Sequence, residues 1–446
     1  MSDIEWIETT VGEYCPFIYG KALPQSKRIS GNIPVYGSNG IVDFHNSSCV
    51  NTAGVIIGRK GSVGAIHLSE KPFWVIDTAF YIVNDDLEEL KFTYYLLKTL
   101  RLSEMNSDSA VPGLNRENAH SLKIKIPKDK FHRCEIGKRL SIFDQKIQLN
   151  TQINQTLEQI AQALFKSWFV DFDPVRAKVQ ALSDGLSLEQ AELAVMQAIS
   201  GKTAEELTAL SQTQPERYAE LAETAKAFPC EMVEVDGVEV PKGWEIKPLP
   251  EIIDFLEGPG IRNWQYTDEE DGIKFINIRC IQNGDLTLTT ANKITKEEAF
   301  GKYKHFQLEE DDIVVSTSGT LGRFAFVRKE HLPLSLNTSV IRFRPIKNKS
   351  TLGFIAGFVE NQLQHELEIR ASGSAQRNFG PTHLKQISLL VPDFKLLELH
   401  QKYAFSLFEK RKQLLSEIDV LKDTRDLLLP KLLNGEFIKW KTQKEI

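Results

Sequence analysis

Gly201-Lys202-Thr203, in "ISGKTAEEL", has the residue types of a phosphate-binding loop, where backbone N–H groups and a lysine hold the phosphates of a nucleotide. Such a loop also needs a glycine five residues before Gly201, and that position is Met196. The glycines of "GRKGSVG" (58–64) follow an apolar strand pattern but lead into another strand, so no helix N-terminus is available to receive a phosphate. That segment reads as a turn. Glu245-Ile246-Lys247 is a Glu-x-Lys triplet of the nuclease type, without a convincing Pro-Asp upstream. Neither the Asn/Asp-Pro-Pro-aromatic tetrapeptide of amino-methyltransferases nor a His-Glu-x-x-His zinc motif occurs, and the histidines are scattered. The sequence offers no catalytic constellation.

Basic and amide side chains, by contrast, cluster on turns that flank predicted strands. In the first half they are Lys27, Arg28, Arg59, Lys60, Asn115 and Arg116; in the second, Arg262, Arg323, Arg377 and Asn378. Arginine pairs with the guanine edge in two places, asparagine does so with adenine, and lysine mostly meets phosphate. Any one of these residues could be an ordinary solvated loop residue. As a set they read as the reader of a DNA groove. The net charge of −6 excludes a protein that coats nucleic acid indiscriminately, but it averages over an uneven chain. Residues 115–139 hold eight Lys or Arg against three Asp or Glu, whereas 176–234 hold five against ten.

The elements that must position these turns repeat. "GVIIGRKGSVGAIHL" (54–68) resembles "DIVVSTSGTLGRFAFV" (312–327), with Gly61 and Gly64 matching Gly319 and Gly322. Asp77-Thr78 matches Asn337-Thr338, and "SAVPGLNRENAHSLKIKIP" (109–127) aligns without gaps with "SAQRNFGPTHLKQISLLVP" (374–392). Each half is a mixed, mostly β domain followed by a long helical pattern. A duplication that keeps its architecture and changes its side chains suits a target with two related, non-identical halves. At 446 residues the chain has room for about two or three domains.

Both helical patterns carry a coiled-coil seam. In the first, Ile136, Leu140, Phe143, Ile147, Asn150, Asn154, Leu157, Ala161, Leu164 and Trp168 step by four and three; in the second the seam includes Ala404, Arg411, Leu414, Ile418, Arg425 and Leu432. Two such seams are expected to pair, and Asn150 and Asn154 are candidates for fixing their register, since a buried amide disfavours slipped pairings. Some 35 residues at ~1.5 Å each make a rod of roughly 50 Å, longer than one DNA turn of ~34 Å. Ile142, Leu149, Ile153 and Ile160 form a second apolar stripe, to be covered by the chain's own β domain or by a partner subunit. The first helix ends in an aromatic cluster, Phe165, Trp168, Phe169 and Phe172, before Asp173-Pro174.

"INQTLEQIAQALFKSWFVDFDPVRAK" (153–178), "VPKGWE" (240–245) and "TRDLLLPKLLNGEF" (424–437) resemble hallmarks of the specificity subunit of type I restriction-modification systems, over essentially the whole chain. The resemblance implies an α+β protein with two mixed, mostly β target recognition domains in tandem, joined by two long antiparallel helices that form a coiled-coil spacer with a pseudo-two-fold. The expected segments are 1–130 (first recognition domain), 131–172 (central helix), 173–242 (linker with an acidic helical insertion), 243–395 (second recognition domain), 396–437 (C-terminal helix) and 438–446 (tail). Each recognition domain would read one half of a bipartite site in double-stranded DNA. Two methyltransferase subunits would bind S-adenosylmethionine, restriction motor-nuclease subunits would use ATP and Mg, and this chain would bind no cofactor. The aromatic cluster would be a subunit-docking and chain-turning element. The acidic insertion at 184–228 is required by neither the repeat nor the spacer.

The rival readings are a coiled-coil scaffold whose β modules bind protein or sugar, and a fused restriction-methylation enzyme, which would need the motifs missing here. The acidic N-terminus and the lack of any apolar run near ~20 residues predict neither secretion nor membrane insertion. Five widely spaced cysteines predict reduced thiols in a cytoplasm.

Overall fold

A computed structural model describes residues 4–105, 113–282, 284–318, 322–370 and 379–433. Arg377, Asn378 and Gly319 lie outside the described residues. The chain divides into two compact units, residues 1–151 with 417–446, and residues 152–416. Its architecture is α+β, with two mixed domains in tandem.

The duplication inferred from short motifs extends to the order of the strands. In the first unit, Trp6–Thr10 pairs antiparallel with Lys123–Pro127 and so closes the domain. A four-stranded sheet runs Ile18–Tyr19, Ala79–Val83, Gly54–Gly58, Ile66–Ser69, and a three-stranded sheet runs Gly40–His45, Ile33–Gly37, Trp74–Val75. In the second unit Glu245–Pro248 pairs with Ser388–Val391, and the four-stranded order is Ile253–Glu257, Val340–Pro345, Ile313–Ser316, Phe324–Phe326. The three-stranded order is Lys293–Ile294, Ile273–Ile276, Leu334–Leu336. Both three-stranded sheets contain one parallel pair. Gly64 and Gly322, matched by the repeat, both take a left-handed backbone (φ 73° and 74°) that a residue with a Cβ seldom adopts.

The central helix spans Lys130–Phe169 and the C-terminal helix Phe394–Leu433. Within each unit they run antiparallel. In the first, Lys146 pairs with Glu417 at 3.3 Å and Asp144 with Arg425, while Ile136 and Leu140 share a core with Leu429, Leu432 and Leu433. In the second, Arg411 lies 3.6 Å from Glu158 and 2.7 Å from Glu360. The seam residues of both helices are buried or half-buried.

The asparagines contribute to register differently from the expectation. Asn150 is fully buried, yet neither of its amide atoms finds a partner, and the Asn154 Oδ1 is also unpaired. An amide unsatisfied in the native register cannot favour that register over another. The pairs that single it out are ionic, Asp144 with Arg425 and Glu158 with Arg411, and both arginines sit on the seam.

The aromatic cluster is also put to another use. Phe165, Trp168 and Phe169 are buried, so no partner subunit can reach their rings. Trp168 lies edge-on to Phe228 (5.0 Å between centroids) and His400 (5.4 Å); Phe169 lies 5.1 Å from Phe354. Phe172, half-buried, turns the chain with φ 61° and rests 5.5 Å from Trp244 of the "VPKGWE" segment. A Cβ on Gly357 would meet the Phe165 ring at 2.1 Å, so only glycine allows helix Leu352–Phe358 this close. The cluster is the hub of the second unit's core.

That hub also seats the acidic insertion, which forms four helices, Asp173–Ser183, Leu188–Ser200, Ala204–Thr213 and Pro215–Ala227. Gly201 ends the second in a left-handed conformation and Thr203 caps the third, which accounts for the Gly-Lys-Thr tripeptide without a nucleotide. The buried Lys178 donates from Nζ to the carbonyls of Ala225 (3.0 Å) and Phe228 (2.9 Å), at the C-terminal end of the last helix, where its charge complements the helix dipole. No helix among the described residues is long and apolar enough to cross a membrane.

His400 is fully buried against these rings, and burial depresses its imidazole pKa from 6.5 to about 3. Unfolding exposes it, so between those values the unfolded chain binds the extra proton and the second unit loses stability as the pH falls below about 6.5. The expected slope from this residue is about 1.4 kcal/mol per pH unit. Urea titrations at pH 7.5, 6 and 5 should show His400→Leu losing correspondingly less; parallel losses in the two proteins would contradict the assignment.

Candidate nucleic-acid interface

Ile18–Tyr19 is an edge strand of the first domain's four-stranded sheet, and Tyr19 stands 47% exposed there. The next strand over but one, Gly54–Gly58, delivers Arg59 and Lys60, whose N–H groups both donate to the Thr78 carbonyl, at 2.9 and 3.0 Å. The Leu114 N–H donates to the Arg59 carbonyl at 2.8 Å, which ties the segment bearing Asn115 and Arg116 to the same place. The guanidinium carbons of Arg59 and Arg116 each lie 5.0 Å from the Tyr19 ring centroid, within range of a cation–π contact. Three distant stretches of sequence thus converge on one exposed ring.

Chemically, the cluster suits an anion. Arg59 donates from Nη1 to the Asp77 carbonyl at 3.1 Å, and Arg116 pairs with Glu117 at 2.8 Å. Lys60 is exposed and has no ion pair among the described residues. Glu117 offsets one of three cations, so the site keeps a net positive charge and guanidinium donors in reach of solvent. A phosphate oxygen would accept from them in charge-assisted hydrogen bonds.

Other expected contacts serve the fold. Asn115 accepts from the Asn118 N–H at 3.1 Å and so caps helix Arg116–His120, which takes its carbonyl away from base reading. Arg28 pairs with Asp43 at 3.1 Å and donates from Nε to the Leu23 carbonyl. The Phe44 N–H and then Arg28 hold the Asp43 carboxyl below the usual carboxylate range. Lys27 is exposed on its own turn, Gln25–Lys27.

In the second domain Arg262 and Arg323 are exposed and have no ion pair among the described residues. Arg328, Arg342 and Arg344 bind Asp285, Asp254 and Asp312 and hold the sheets together. Sequence reasoning missed Tyr19, because an aromatic residue on a strand reads as core unless its sheet edge is known.

On the central helix, Ile142 and Leu149 in the first unit and Ile153 and Ile160 in the second remain exposed. The chain's own β domains do not cover them.

The family model described as Type I restriction modification DNA specificity domain matches residues 3–159 and 241–409, both halves of the repeat. The specificity subunit of the type I restriction enzyme HindI from Haemophilus influenzae is 43% identical over 379 residues, covering 81% of each chain. That of the enzyme MjaIX from Methanocaldococcus jannaschii is 23% identical over 394 residues, 86% of this chain and 77% of that one. A crystal structure of a type I restriction-modification S subunit from M. genitalium shares the fold, with a TM-score of 0.55 over 97% of both chains at 17% identity.

Proposed function

The chain belongs to the type I restriction-modification DNA specificity family, and from that membership we propose that it reads a DNA sequence for partner subunits and performs no catalysis itself. The observation that carries this reading is the cationic cluster of Arg59, Lys60 and Arg116 around exposed Tyr19, on a domain that occurs twice. Each recognition domain reads one half of a bipartite, asymmetric site in double-stranded DNA. Phosphate contacts set position, and side chains in the groove select bases.

Two methyltransferase subunits dock on the central helix, at the exposed Ile142 and Leu149 of one unit and Ile153 and Ile160 of the other. They bind S-adenosylmethionine and methylate adenine, and restriction subunits supply ATP- and Mg-dependent cleavage, all in the cytoplasm. This chain contributes the address. The match of both halves to one DNA-specificity family leaves the scaffold and fused-enzyme readings without support.

Two measurements on the complex with its methyltransferase subunits test the reading. Replacing both Arg59 and Arg116 by alanine should weaken duplex binding and flatten the slope of log K against log salt by about 0.9 for each phosphate that is no longer neutralised. Exchanging residues 1–127 for another first recognition domain should change one half of the methylated sequence only. An unaltered slope, or a methylome in which both halves change, would refute the division of labour.

A further inference from the structure

The recognition domains carry the same loop in two versions. Gly20 and Gly258 each end the first strand of the four-stranded sheet, and their N–H groups donate to Ala79 and Val340 on the neighbouring strand. A Cβ on Gly20 would meet the Ile76 carbonyl oxygen at 2.2 Å, and one on Gly258 the Asn337 oxygen at 2.2 Å. Three residues further, Leu23 and Ile261 are buried. Two more residues along, each loop makes a single 3-10 turn, Gln25–Lys27 in one and Asn263–Gln265 in the other.

The tips differ. The first presents Ser26 and Lys27; the second presents Trp264, 79% exposed, between Asn263 and a turn anchored in the core. On one side the Ile261 N–H donates to Asn337 Oδ1 at 3.0 Å. On the other, buried Gln265 donates from Nε2 to Glu298 and to the Tyr303 hydroxyl, both at 2.9 Å, and accepts from the Arg262 N–H. The Tyr266 ring lies 5.2 Å from Phe275. The backbone is therefore held firmly under an indole that touches no other ring among the described residues.

We infer that Trp264 is a DNA contact of the second recognition domain, an apolar wedge pressed against a base step of its half-site while Arg262 and Asn263 meet phosphate and base edges. The inference rests on the DNA-reading function proposed above. An aromatic face on a rigid mount loses little conformational freedom when it stacks, and every base offers it a π surface. A protein groove is disfavoured as the occupant because the duplicate loop, at the same place in the same fold, is polar and cationic. A duplex accommodates both versions.

The test uses the full chain in complex with its methyltransferase subunits and a duplex containing the site located by methylome sequencing. Trp168 and Trp244 are buried, so the difference in acrylamide quenching between wild type and Trp264→Phe reports Trp264. It should be freely quenched in the complex without DNA and shielded on the duplex. Trp264→Ala should weaken duplex binding roughly 5- to 150-fold, the range expected for removing one stacking interaction, and Trp264→Phe should recover most of it. Shielding by the methyltransferase subunits before DNA is added would overturn the inference, as would free quenching on a duplex that Trp264→Ala binds normally. A wild-type complex that binds no duplex would remove the DNA-reading function, and this contact with it.

Discussion

Replacing Arg411 by methionine should cost the second unit about 3–5 kcal/mol, read as an early urea transition in the fluorescence of buried Trp168 and Trp244. Arg411 is buried, holds Glu360 at 2.7 Å, and lies 5.5 Å from the Phe326 and Phe408 rings. The Glu360 side chain has no exposure, and burial pushes its pKa up to about 7 against the pull of Arg411. Without the guanidinium that carboxyl must be buried uncompensated or take up a proton. Glu158, partly exposed, can rehydrate. The loss therefore resides in Glu360, and Arg411→Met combined with Glu360→Met should recover most of it, because an apolar pair of similar volume leaves nothing unpaired. A double variant no more stable than the single one would locate the cost in packing instead of charge.

Trp168→Ala should be comparably severe, about 3–5 kcal/mol. The deletion opens a cavity among Phe228, His400 and Tyr403, where the central helix, the C-terminal helix and the acidic insertion meet. Because Phe228 directly follows the last insertion helix, the four helices should lose their seat along with global stability. Limited proteolysis should then cut around Gly185 or Gly201, left-handed glycines between insertion helices with open space beside them. The first unit, whose core excludes these residues, should keep its unfolding transition. Resistance of the insertion in Trp168→Ala would show that it folds independently of this hub.

Much of the fold was legible because periodicity and turn chemistry are local. The Gly-x-x-Gly turns and the strand patterns around them indicated a duplication, and the strand orders of the two domains repeat in the same way. The four-three stepping marked the seams, and the seam residues are covered. The site was legible only in part. Arg59, Lys60 and Arg116 were chosen by residue type, but Tyr19, which gathers them, looked like any strand aromatic. Asn115 and Arg28 had the right chemistry and are used for a helix cap and an ion pair.

By itself the sequence determined the repeat, the amphipathic helices and the absence of known catalytic motifs, since these depend on residue type and on spacing along one element. Only the tertiary structure decided which side chains are left for a ligand. Asp43 stands fifteen residues from Arg28, Asp144 far from Arg425, and Glu360 far from both helices' seams. Whether a charge is free, or a ring exposed, depends on what a distant segment brings beside it. Trp168 and Trp264 are the same residue type on helix and turn, and packing alone buries one and leaves the other in solvent.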